Sequence, residues 1–215
     1  MNKKSILLAS GGLDSTALLL KKVNEGEEVL PVFIDLQQDS TKSELQAVKD
    51  LSGFLDTSLD VLENKGVMNA FSSSVSSASP AAVPNPGKHV LELGSLLVIP
   101  QAIAYAHKIG VEKIYIGYTK LDSDYSQEYS LEFLSLLSKI SETAGFKSIS
   151  IEAPFINTTK AEVLKLLADN RSLNFTWSCA HSEKTHCGVC QACRSRKDAF
   201  SSAGLKDNTS YRIAD

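Results

Sequence analysis

The stretch SILLASGGLDSTALLL, Ser5–Leu20, decides how the rest of the chain is read. Its first part, Ser5–Ser10, is a short apolar run of the kind that forms a buried strand. Leu13–Val23 has helical spacing, with Leu18 and Leu19 on the face expected to meet a core. Between them lies a turn containing Gly11 and Gly12, which can take positive φ and let backbone come close to a ligand. A strand ending there and a helix starting there put free N–H groups and the positive end of a helix dipole at one point, an anion site. Ser10, Ser15 and Thr16 add hydroxyls, and Asp14 is placed either to cap the helix or to hold Mg²⁺ through water. The string is not a Walker loop, because no Gly-Lys-Ser/Thr follows, and it is not G-x-G-x-x-G.

Working outward, apolar and amphipathic runs alternate. EVLPVFID (Glu28–Asp35) reads as a second strand and Lys42–Phe54 as a second helix; TSLDVLE (Thr57–Glu63) is a third strand candidate. EKIYIGY (Glu112–Tyr118) is the clearest strand, Glu128–Ala144 a helix, and KSISIEAPF (Lys147–Phe155) a strand. Thr159–Leu167 is a helix opened by a capping box of Thr159 and Glu162. Strand-helix alternation predicts an α/β fold with a parallel sheet and helices on both faces. Asp35 ends the second strand on the same sheet edge as the glycine turn, so it is a candidate nucleotide contact or an ordinary turn residue. Lys160 sits in a first helical turn, where a lysine opposes the dipole, and this favours a ligand role. Residues Phe71–Gly87, rich in Ser, Ala and Pro, read as a long loop. We divide the chain at residue 170 into an α/β domain and a small C-terminal lobe.

The 215 residues carry a formal charge of −3, which argues against a general nucleic-acid binder. Arg194, Arg196 and Lys197 form a local basic run that reads as a solvated helix face. The start does not read as a signal peptide, since its apolar stretch, Ile6–Ala9, is short. The most apolar segment, Val90–Ala106, is broken by Glu92, Pro100 and Gln101, so no membrane span is expected. The chain reads as cytoplasmic.

All four cysteines fall in one short stretch, Cys179, Cys187, Cys190 and Cys193, spaced C-x7-C-x2-C-x2-C. Four thiolates supply a complete tetrahedral Zn²⁺ site, with Gly188 relieving the turn between two ligands. Tight C-x2-C spacing also surrounds iron–sulfur clusters, so spacing alone does not fix the metal. His181 and His186 are alternative ligands, read here as bystanders.

S-G-G-L-D-S-T closely resembles the PP-loop of the ATP pyrophosphatases. Taken with the lysine-bearing APFINTTKAEVLKLL and the tail pattern through Thr176, Ser178, Cys179, Cys187, Gly188, Cys190, Cys193 and Arg196, the whole chain resembles the 7-cyano-7-deazaguanine synthase family. That resemblance implies a PP-loop fold with a C-terminal zinc lobe, and ATP, Mg²⁺ and Zn²⁺ as cofactors. It places the nucleotide at Ser10, Gly11, Gly12, Asp14, Ser15, Thr16 and Asp35, with Lys160, Asp14 and Asp122 as catalytic residues. It implies adenylation of 7-carboxy-7-deazaguanine, amidation by ammonia, and dehydration to the nitrile.

The middle of the chain departs from the family pattern. IDLQQDS keeps Asp35 and Gln38 but lacks the Arg-His of F-D-Y-G-Q-R-H. PGKH puts Lys88 and His89, the expected substrate contacts, where the family has Arg-Asn. Of D-x-S-G-Y-P-D-C-R, Asp122 is retained and Ser130 replaces the arginine. These changes open two alternatives: an anti-phage-type enzyme joining the activated deazapurine to a protein amine, and a catalytically silent nucleotide-binding subunit. RNA thiolation, another PP-loop chemistry, would need a basic surface that this chain lacks. A second copy of the chain is a candidate partner.

Overall fold

The computed structural model describes residues 5–64, 94–167, 171–181 and 184–212; the long loop expected at 71–87, and Lys88 and His89, lie outside them. In chain order the elements are β1 (Ser5–Leu8), α1 (Leu13–Asn24), β2 (Val29–Asp35), α2 (Thr41–Phe54), β3 (Asp60–Glu63), α3 (Gly94–Ile109), β4 (Lys113–Tyr115), α4 (Lys120–Tyr125), α5 (Leu131–Thr143), β5 (Ser150–Glu152), α6 (Lys160–Lys165) and α7 (Gln191–Ala203). Short 3₁₀ turns cover Gln127–Tyr129 and Arg171–Phe175.

The strands form one sheet in the order β3-β2-β1-β4-β5, and every pair is parallel. Ile6 of β1 stands opposite Leu30 of β2 on one side and Ile114 of β4 on the other. Alternate residues of these strands point to opposite faces. Leu7, Phe33 and Tyr115 join the core with Leu18 of α1, Val48 of α2, Val163 of α6 and Phe200 of α7. Ile6, Val32 and Ile114 join a second core with Ile99 and Ala102 of α3 and Leu134 of α5. Both faces are therefore covered, which is why the central strands read as near-continuous apolar runs. The chain moves outward from β1 to β3 and returns beside β1 as β4, so the switch point that opens a ligand crevice lies at the carboxyl ends of β1 and β4.

Two elements differ from the sequence reading. The Val90–Ala106 region, read only as an interrupted apolar run, overlaps the 16-residue helix α3 (Gly94–Ile109), with Pro100 inside it. The helix expected from Glu128 starts at Leu131, because Ser130 caps it by accepting the Phe133 N–H at 3.1 Å. Among the described residues no helix is long and apolar enough to cross a membrane.

Candidate active site and metal centre

The turn after β1 is held from three sides. Gly11 has φ +74°, and a Cβ added there would lie 2.6 Å from the Glu44 carbonyl oxygen of α2. The Trp177 N–H donates to the Gly11 carbonyl at 2.7 Å from the C-terminal lobe. From the β4 side, a Cβ on Gly117 would lie 2.9 Å from the Ser15 nitrogen. Gly11→Ala is therefore expected to cost about 2–4 kcal/mol, combining an unfavourable φ with a clash against fixed backbone. Denaturant unfolding measures this, and an unchanged midpoint would contradict the fit.

Gly12 is the N-cap residue of α1, and no side chain caps that helix. Asp14 thus does not serve as the cap. Thr16 N–H makes an early helical bond to the Gly12 carbonyl at 3.1 Å, and the amides before it stand outside the helical ladder. Ser15 Oγ accepts the Ser10 N–H and donates to the Gly12 carbonyl, both at 3.3 Å, while Ser10 Oγ lies 3.1 Å from Ser15 Oγ.

Lys160 opens α6 after β5, where Thr159 and Glu162 form the expected capping box. Its Nζ lies 2.9 Å from Asp14 Oδ2; the two side chains are 24% and 16% exposed. A cation at a helix N-terminus, unfavourable by itself, is explained by this pairing. Burial pushes the Asp14 carboxyl above the usual aspartate range, Lys160 pulls it back, and Asp122 pushes it up further. The other oxygen, Asp14 Oδ1, and Thr16 Oγ1 are buried with no hydrogen-bond partner among the described residues. Unsatisfied acceptors at the mouth of a helix call for an outside cation or donor, and a Mg²⁺–nucleotide fits that need.

The remaining sequence candidates occupy different settings. Asp122 Oδ2 accepts both the N–H and the Oγ1 of Thr119 at 2.8 Å, a capping box that opens α4. Asp35 Oδ1 accepts the Gln37 N–H at 2.7 Å, shaping the turn after β2, where Gln37 has φ 62°. Beside it Glu44, raised by burial, accepts from Ser40 Oγ at 2.7 Å and Gln38 Nε2 at 2.8 Å.

The four cysteines are buried, and their sulfurs all lie within 4.8 Å of one another. Cys187 and Cys193 are 3.9 Å apart, close to the ~3.8 Å edge of a tetrahedron with Zn–S bonds of about 2.3 Å. The N–H groups of Cys187, Cys190 and Cys193 point at the sulfurs of Cys179, Cys187 and Cys190, at 3.3–3.4 Å. The donor set and its spacing fit a single thiophilic ion. Cys190 also caps α7. His186 is no part of this set: it accepts the Ser178 N–H through Nε2 at 3.1 Å and packs at a tilt against Trp177. The basic run is not a solvated face throughout, since Arg196 is 4% exposed.

Sequence reasoning singled out neither Gly117 nor Glu44. The Gly in IYIGY carried a usable signal, a glycine at a strand end on the ligand edge. Glu128 was read only as a helix start: it is buried after β4, and its Oε2 accepts the Ser95 N–H at 3.1 Å near the start of α3.

A glycine turn on the carboxyl edge of a parallel, doubly wound sheet, with a cysteine centre hydrogen-bonded to it through Trp177, defines a PP-loop α/β protein. The family model described as "Queuosine biosynthesis protein QueC" matches residues 4–204, and the chain belongs to that family. It is 30% identical to the 7-cyano-7-deazaguanine synthase of Nautilia profundicola, over 98% of this chain and 99% of that protein. Identity to 7-cyano-7-deazaguanine synthase 1 of Sulfurisphaera tokodaii is 31%, over 97% and 98%. Among solved structures, NMN synthetase from Francisella tularensis superposes with a TM-score of 0.55 at 13% identity, covering 96% of this chain and 79% of that one. A U34-tRNA thiolase from Methanococcus maripaludis, solved with its [4Fe-4S] cluster, gives 0.53 at 15% identity, covering 94% and 65%. These structures share the fold.

Proposed function

We propose that the chain is an ATP-dependent 7-cyano-7-deazaguanine synthase. In this reading the carboxylate of 7-carboxy-7-deazaguanine attacks the α-phosphorus of ATP and pyrophosphate leaves. Ammonia then displaces AMP from the acyl carbon to give the amide. A second ATP adenylates the amide oxygen, and loss of AMP with the amide protons leaves the nitrile. Adenylation is needed because a carboxylate oxygen is a poor leaving group.

Residues 1–170 carry this chemistry and 171–215 form the supporting lobe. The turn at Ser10, Gly11 and Gly12, with Ser15 and Thr16, cradles the phosphates. Lys160 leaves its partner Asp14 to bind phosphate oxygens, and Asp14, freed, would hold Mg²⁺. A bound Mg²⁺ supplies charge neutralisation for the departing pyrophosphate. Cys179, Cys187, Cys190 and Cys193 would hold Zn²⁺, which supplies structural cross-linking of the lobe. Asp35 borders the nucleotide, Asp122 the substrate, and Lys88 and His89 are assigned to the substrate by motif alone.

The observation that carries this reading is the Asp14–Lys160 pair at the glycine turn, with Asp14 Oδ1 and Thr16 Oγ1 buried and unpartnered. The test is mass spectrometry of a reaction with 7-carboxy-7-deazaguanine, ATP, Mg²⁺ and ammonium. The expected products are the nitrile, AMP and pyrophosphate; ADP and phosphate would overturn the assignment. A second reading keeps the adenylation and changes the acceptor. The altered segment after β4 closes on itself, with caps at Asp122, Ser126 and Ser130. AMP without nitrile would point to that second reading, with a protein amine as acceptor.

A further inference from the structure

We propose that Arg196 is a positioning residue for the glycine turn, acting through Trp177; this rests on the function proposed above. Arg196 lies on α7, three residues after Cys193. Its Nη1 donates to Thr176 Oγ1 at 2.9 Å and to Ser178 Oγ at 3.2 Å, the two residues that flank Trp177. The Trp177 N–H between them donates to the Gly11 carbonyl. The indole is tied the other way: Nε1–H donates to the Cys179 carbonyl at 2.7 Å, and the ring packs in a tilted arrangement against His186 with centroids 4.2 Å apart. Trp177 therefore has its amide on the phosphate turn and its ring on the cysteine lobe.

Arginine is a costly residue at this place. A buried guanidinium loses hydration, and here its nearest partners are neutral hydroxyls: Thr176, Ser178, and Thr209 on Nε at 2.9 Å. Asp207 Oδ1 stands 3.8 Å from Nε. An apolar side chain would fill such a space at lower cost. What the planar fork adds is direction, since its fixed donors hold several hydroxyls in one arrangement, which a lysine ammonium does not reproduce. The held segment ends on a carbonyl whose residue is pressed from the other side by the α2 backbone. A turn gripped between α2 and Trp177 keeps its amides aimed before nucleotide arrives, which lowers the ordering cost of binding.

The experiment compares Arg196→Lys and Thr176→Val with the parent, all with metal content measured. Amide hydrogen exchange reads the peptides covering 9–16 and 176–179, and ATP·Mg²⁺ affinity is measured directly. Trp177, the chain's single tryptophan, adds an emission signal. With metal retained, both variants are expected to exchange faster in both peptides and to bind ATP about tenfold more weakly, with kcat at saturating ATP within about twofold. Faster exchange confined to 176–179, with turn and affinity unchanged, overturns the proposal. If Arg196→Lys loses metal, Thr176→Val decides, since it removes one clamp and lies outside the four-cysteine set. If the parent fails to bind ATP, the proposed function falls, and exchange in 9–16 still decides the tether.

Discussion

Lys160→Met is expected to lose ATP turnover by at least about 100-fold and to be destabilised in a way that depends on pH. Removing the cation leaves the Asp14 carboxylate in a setting where burial already raises its pKa. A raised carboxyl pKa means the folded state holds the proton more tightly than the unfolded chain does. The associated stability is full below the ordinary aspartate range and is lost as pH rises through the folded value. Lys160 offsets part of that loss, and without it the folded value climbs further. The deficit against the parent should be about 1–3 kcal/mol at pH 7–8, the lower end reflecting partial exposure of the pair, and should shrink toward pH 5. Asp14→Asn removes the ionisable group and leaves a lysine that can turn to water, so it should retain stability while also losing turnover. The double variant should be more stable at pH 8 than Lys160→Met alone. Urea unfolding of the four proteins at three pH values checks this, and a deficit equal at all pH values would contradict it.

The parts that held from sequence are those where local chemistry and tertiary demand agree. Ser5–Leu20 is readable because a buried strand, a glycine turn and an amphipathic helix each have their own pattern, and all three formed where expected. Thr159–Glu162 is readable because both halves of the capping box are local. Helix α3 was not. Pro100 removes an N–H and normally ends a helix, yet Ile99, Ala102, Ile103 and Ala106 line the second core, and that burial outweighs the local signal. Arg196 misled for the converse reason. Its neighbour Arg194 is exposed, but helical spacing of three from Cys193 turns Arg196 inward, and no composition rule separates the two. The Asp14–Lys160 contact joins residues 146 positions apart (160 − 14). Both were candidates from motif, but only the sheet order, with β1 beside β4 and β4 beside β5, brings their elements to one edge.

Removing the metal is expected to have the largest effect on stability of any single perturbation. The four sulfurs, with cysteines 0–9% exposed, form a small cluster of their own with little apolar surface beyond Trp177, Ala180, Ala192 and Tyr211. The lobe's contact with the main core runs through Ala199 and Phe200 of α7, so the cysteine segment itself has little packing to hold it, and a metal bound by the four thiolates would supply the difference. Metal analysis should find about one Zn²⁺ per chain in a colourless protein. Visible absorbance with iron and sulfide would instead assign a cluster, whose four cysteine sulfurs stand farther apart than around one ion. Loss of about 5 kcal/mol, modest beside zinc-peptide values, corresponds to a Tm lowered by roughly 10–20 °C in a chain of this size. Cys190 sharpens the test, because its sulfur both belongs to the ligand set and caps α7 by accepting the Cys193 N–H. Cys190→Ser keeps an acceptor for the cap and loses a preferred ligand; Cys190→Ala loses both. The alanine variant should therefore be about 1 kcal/mol less stable than the serine variant once each is stripped of metal. Equal stability would mean that the ligand role alone fixes this cysteine.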